Sequence, residues 1–144
     1  QLCCTNKATS IKCSGSLLVI TSKHVDKVFS PFKGVIINIG ASSAHVGNAN
    51  RAADVTAKMG LAGLTGALAV ELAPQNITVN CVAPGRIARP GQTSPHFQTR
   101  PTPMGREGTT KEFSETIRFL CGPGSRFTTG QTLHVNGGWY ISVN

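Results

Sequence analysis

Asp54 and Lys58 stand four residues apart in a stretch whose apolar residues recur at helical spacing, which puts both side chains on one face, one turn apart. An ion pair is the plain outcome of that spacing. A carboxylate with an ordinary pKa of about 3.9, lowered further by an ammonium beside it, is ionised at neutral pH and is a poor proton donor. Ser42 and Ser43 follow an apolar run and read as hydroxyls that satisfy backbone groups where a strand ends. His45, His96 and His134 show no paired spacing suited to a metal ion. The five cysteines, Cys3, Cys4, Cys13, Cys81 and Cys121, are odd in number and contain no CxxC, so the residues predict reduced thiols and no metal site. Asn76-Ile-Thr78 has the glycosylation pattern but enters a predicted buried strand.

One β-α-β unit must position these groups. Gly34-Val-Ile-Ile-Asn-Ile-Gly40 is a near-continuous apolar run, the pattern of a strand buried on both faces of a parallel sheet. Residues from about Ala52 to Leu72 predict a helix, with Leu61, Leu64, Leu68 and Leu72 on one stripe and the small residues Thr56, Gly60, Gly63 and Ala67 on another; Pro74 closes it. Ile77 to Ala83 predicts a second strand ending at Pro84-Gly85. Two strands flanking one helix run parallel through a crossover, so ligands would bind at their carboxyl ends.

The remaining segments are read in the same way. Residues 1–12 carry no period and predict irregular chain. Residues 13–30 are ambiguous, because Leu17 to Thr21 suits a strand while Leu18, Val25, Val28 and Phe29 fit a helical stripe; the helix is favoured. Arg86 to Met104, with four prolines, predicts a mobile flap. Thr109 and Glu112 form a capping box that opens a helix with apolar Phe113, Ile117, Phe119 and Leu120, stopped by Gly122-Pro-Gly124. Gln131 to Val135 predicts a last strand.

Composition bounds the function classes. The chain has 144 residues, 40% of them hydrophobic and 14% charged, which predicts one α/β domain with a real core rather than disorder. No run approaches the roughly 20 apolar residues of a membrane span, and Ser16 to Ile20 is too short for a signal-peptide core; the expected location is the cytosol or an organelle matrix. The net charge is +8, yet the basic residues are spread without an interleaved aromatic patch, which disfavours nucleic-acid binding.

Several segments in combination resemble the short-chain dehydrogenases/reductases, bacterial 3-oxoacyl-carrier-protein reductases in particular. They are Gly34 to Gly40, Gly47-Asn48, Ala57 to Thr65, Ala69 to Pro74, Ile77 to Gly85, Pro103 to Gly108 and Thr129 to Gly138. The resemblance covers about residues 34–138 and weakens back to about residue 12. It implies the C-terminal half of a Rossmann-like parallel sheet with flanking helices, an incomplete domain over residues 13–144. The family's glycine-rich pyrophosphate loop is not matched, nor are its ribose-reading residue and its asparagine-rich strand. NAD or NADP is therefore the implied cofactor, bound poorly by this chain alone.

The family reduces carbonyls with a tyrosine proton donor, a lysine four residues on and a serine that orients the carbonyl. Carried over by position, Lys58 matches the lysine, Asp54 occupies the tyrosine position and Ala41 the serine position; Ser42 could substitute after a small loop shift. A further family asparagine falls at Lys12 or Cys13. Pro84, Gly85 and Ile87 match the segment beneath the nicotinamide, with Arg89 where the family commonly has threonine. Asp54 could act as a base in the oxidative direction.

The resemblance implies an inactive, structural or vestigial chain derived from these enzymes; the alternative is an NAD(P)-dependent oxidoreductase completed by another chain. A binder of anionic partners ranks third. The small-residue stripe implies helix packing against a second copy. The Gly34 to Ile39 strand is expected either to pair with a partner chain along its edge or to be covered by residues 1–33.

Overall fold

The computed structural model describes residues 8–13, 17–22, 34–88, 91 and 101–142. Among them, five strands form one sheet in the order of the chain: β1 (Ala8–Cys13), β2 (Leu17–Ser22), β3 (Gly34–Ile39), β4 (Ile77–Pro84) and β5 (Thr132–Val135). The helix α1 (Ala52–Leu72) connects β3 to β4, and α2 (Thr110–Cys121) precedes β5. β3 runs parallel to β4, from Gly34 opposite Ile77 to Ile39 opposite Val82. β5 is parallel to β4, from Cys81 opposite Thr132 to Pro84 opposite Val135. The three parallel strands and their helices make the α/β sheet expected from the apolar runs.

Two expectations for the early residues are corrected. The helix favoured within residues 13–30 is absent at Leu17–Ser22, which forms strand β2 instead. Its β-branched Val19, Ile20 and Thr21 suit a strand, and β3 offers a row of backbone groups to pair with, so cross-strand bonding overrides the helical stripe. Residues 8–12, expected to be irregular, belong to β1, antiparallel to β2. Of the two outcomes expected for the β3 edge, a partner chain or cover by residues 1–33, the structure shows the second: β2 pairs antiparallel there, from Val19 opposite Asn38 to Ser22 opposite Val35. The edge is covered from within. Much of the expected flap, residues 89–90 and 92–100, lies outside the described residues.

Because neighbouring strand residues point to opposite faces, the two helices pack on opposite sides. On one face Val35, Ile37 and Val82 meet Ile117 and Leu120 of α2, with Phe113 partly buried beside them. Phe119, expected on that stripe, is half exposed, because it lies about 100° away from Leu120 around the helix. The capping box forms as read: Thr109 Oγ1 accepts from Glu112 N at 3.1 Å, and Thr109 N donates to the Glu112 carboxylate at 2.8 Å. Arg106 grips the same carboxylate with bonds of 2.6 and 3.0 Å and, with the Thr109 bonds, holds it down at about 2.

On the other face α1 buries Leu61, Thr65 and Ala69 rather than the expected leucine stripe; Leu64 is exposed. Thr65 is there because Asn38, fully buried on β3, donates to its hydroxyl at 2.9 Å, while that hydroxyl donates to Leu61 O at 2.7 Å. Over Ala52–Gln75 the helix is long and apolar enough, by length and composition, to cross a membrane. Its Leu61–Thr65–Ala69 stripe instead packs on the sheet.

Replacing Thr65→Val should leave the Asn38 amide buried without its acceptor and cost about 1–3 kcal/mol. The combined Asn38→Leu and Thr65→Val variant should recover most of that loss. Urea midpoints at unchanged slope measure both; a double variant as unstable as the sum of the singles would contradict the pairing.

Candidate functional site

The three parallel strands end together, and the chain leaving each end supplies the groups at issue. After β3 comes Ala41 and a 3₁₀ turn over Ser42–His45; after β4 come Gly85 and Ile87; after β5 comes Asn136. Gly85 N donates to Val135 O at 2.8 Å, and a Cβ on Gly85 would lie 2.6 Å from the Asn136 Cβ. Only glycine allows β4 and β5 to approach so closely at their exits. Ile87 bridges to Gly108, where Ala88 N donates to Gly108 O and Gly108 N to Arg86 O.

Lys58 reaches the same end. Its Nζ donates to Ile39 O at 3.1 Å, placing the ammonium at the last residue of β3, two positions before Ala41. Asp54 lies one turn earlier on α1 and is half exposed; it bridges back to Arg51 at 4.0 Å, not forward to Lys58. The expected Asp54–Lys58 pair is thus corrected. A backbone carbonyl claims the lysine, and Arg51 three residues back claims the carboxylate.

Ser42, read as a hydroxyl that satisfies backbone groups or could face a substrate, is fully buried. It donates to Ala83 O at 2.9 Å. Its Oγ also stands 3.0 Å from His134 Nδ1 and accepts from Asn136 Nδ2 at 3.4 Å. Asn136 Nδ2 also donates to Tyr140 O at 2.8 Å. One hydroxyl therefore joins the exits of β3, β4 and β5.

Around it the rings of His45, His134 and Tyr140 gather with centroids 4.7 to 5.2 Å apart, His45 standing edge-on to His134. Burial lowers the pKa of both histidines, and for His134 the charge of His45 lowers it further. Residues 45 and 134 read as ordinary polar positions in the sequence, and no local signal joins them across 89 positions. Among the described residues no group of three or more His, Cys, Asp or Glu could hold a metal ion. Arg89 lies outside the described residues, as do the side chains of Lys12 and Cys13.

With this geometry in hand, the comparisons with known proteins are decisive. The profile of the family described as enoyl-(acyl carrier protein) reductase matches residues 5–140. The chain belongs to the short-chain dehydrogenase/reductase family. It is 39% identical over 132 residues to 3-oxoacyl-[acyl-carrier-protein] reductase FabG of Buchnera aphidicola, covering 88% of this chain and 54% of that protein. The Aquifex aeolicus FabG is 35% identical over 135 residues, 90% of this chain and 54% of the relative. Among solved structures, a putative oxidoreductase from Escherichia coli superposes with a TM-score of 0.64 at 41% identity, over 73% of this chain and 41% of the other. Acetoin dehydrogenase YohF from Salmonella typhimurium gives 0.65 at 40%, over 73% and 42%. The chain spans about half the length of the relatives it matches.

The two histidines make stability depend on pH. Their folded pKa values lie below the ordinary value of about 6.5, so the unfolded chain binds protons that the folded chain refuses. Their contribution is complete above about pH 6.5 and is lost as pH falls below it. Thermal melts between about pH 7 and pH 5 should show this fall, and His45→Phe, which keeps a ring at the contact, should make it shallower. An unchanged slope in that variant would contradict the pairing.

Proposed function

We propose that this chain is a short-chain dehydrogenase/reductase unit that keeps the lysine and the strand-exit floor of a dinucleotide site but does not reduce carbonyls by itself. The observation that carries this reading is the pair of positions at the β3 exit and the start of α1. Ala41 offers no hydroxyl, and Asp54 presents a half-exposed carboxylate tied to Arg51 where the family has its phenol. A carboxylate in place of that phenol is a poor proton donor to a developing alkoxide. Ser42 is a weak stand-in, since its proton is already given to Ala83 O.

Of the groups an NAD(P) molecule would need, the chain offers Lys58 at the β3 exit for the nicotinamide ribose and Pro84, Gly85 and Ile87 as a floor. The cofactor, when bound, supplies the hydride. The pyrophosphate loop finds no counterpart in these residues, so the site is partial. On this reading the role left to the chain is structural, with a second copy packed on the outer face of α1. There Gly60 and Gly63 leave open space, and Val70 is 79% exposed.

A second reading keeps the chemistry: an NAD(P)-dependent oxidoreductase completed by another chain. The Lys58 to Ile39 bond and the close Gly85 to Asn136 approach favour it, because they hold the lysine and the exits of β4 and β5 at one end of the sheet.

The purified chain should show no oxidation of NADH or NADPH above background with acetoacetyl thioesters or simple ketones. Turnover that disappears in Lys58→Ala would overturn the inactive reading and favour the second.

A further inference from the structure

At the opposite end of the sheet from the candidate site, a cavity of about 450 Å³ opens beside the first residues of β4. That volume lies in the range of small-molecule sites, roughly 300–1,000 Å³. Ala73, at the end of α1, and Ile77 supply apolar wall, and Phe127 supplies an aromatic one. The Phe127 ring is fully exposed, which leaves an apolar face at the mouth uncovered by any described residue. Arg126, following the 3₁₀ turn Pro123–Ser125, is the one charged residue among the described residues of the lining. Thr78, only 5% exposed, lines the cavity as well, and its hydroxyl has no hydrogen-bond partner among the described residues. The lining thus combines a ring, aliphatic wall, a cation and an unsatisfied hydroxyl.

From that combination we infer that the cavity is a binding site for a small aromatic carboxylate, its ring against Phe127 and Ile77 and its carboxylate toward Arg126. Ring-on-ring packing would cover the exposed face of Phe127, and a charge-assisted bond to a guanidinium gives the carboxylate its preference over a neutral group. The site is separate from the strand exits: Ile77 opens β4 and Pro84 closes it, roughly 23 Å apart at about 3.3 Å per residue. Its occupancy does not depend on whether the chain reduces carbonyls.

The test titrates the chain with 1-naphthoate, followed by its fluorescence and by ligand-observed NMR, with 1-naphthalenemethanol as the uncharged counterpart. Saturable binding of the acid, about tenfold tighter than the alcohol, is expected. Arg126→Gln should remove that preference while leaving the alcohol unaffected, and Phe127→Ala should weaken both. Equal binding of acid and alcohol to the parent chain, or variants that bind as the parent does, would overturn the proposal. So would loss of binding as the chain concentration rises with growing light scattering, since a second copy would then be what covers Phe127. If either variant loses its circular dichroism spectrum, the acid-against-alcohol comparison on the parent chain decides.

Discussion

A buried hydroxyl holds the three parallel strand exits of this chain together. Ser42 gives its proton to the Ala83 carbonyl at the end of β4, while its oxygen pairs with His134 Nδ1 on β5 and accepts from Asn136 just beyond it. Three strand exits are thereby fixed relative to one another by one atom. The consequences spread outward. The His134 ring is held against His45 and Tyr140, and Asn136 donates to Tyr140 O. The close approach of Gly85 to Asn136 completes the arrangement, since a side chain there would separate β4 from β5.

The sheet below this hub was legible from residue patterns because its forces are local or periodic. The buried runs of β3 and β4, the bounds of α1, the Thr109–Glu112 cap and the stop at Gly122 all follow from alternation, helical period and capping chemistry within a few residues. Residues 17–22 were ambiguous for a physical reason. Leu17 to Thr21 suits a strand while Leu18, Val25, Val28 and Phe29 fit a helical stripe, and the deciding term, pairing with β3, comes from residues further along the chain. Thr65 was missed on the buried stripe of α1 because a polar residue is paid back there only by Asn38, 27 positions away.

The candidate site was legible in part. Lys58 reaches the β3 exit, but its partner is a carbonyl of the sheet and not the carboxylate of Asp54. Sequence spacing predicts which groups share a helix face; it does not predict which of several acceptors wins. The ring cluster of His45, His134 and Tyr140 had no signal at all, since its members come from three segments. In the same way α1 satisfies two demands at once, a narrow buried stripe toward the sheet and a small-residue face left open, and its apolar composition reflects both.

The central proposal is that these residues would build only part of a dinucleotide site, a lysine and a floor at the strand exits. Isothermal titration of the chain with NADH and with NADPH, alongside light scattering for its assembly state, tests this most directly. The account predicts no binding heat at micromolar cofactor for the chain or for any oligomer it forms. Micromolar binding of either nucleotide would contradict it.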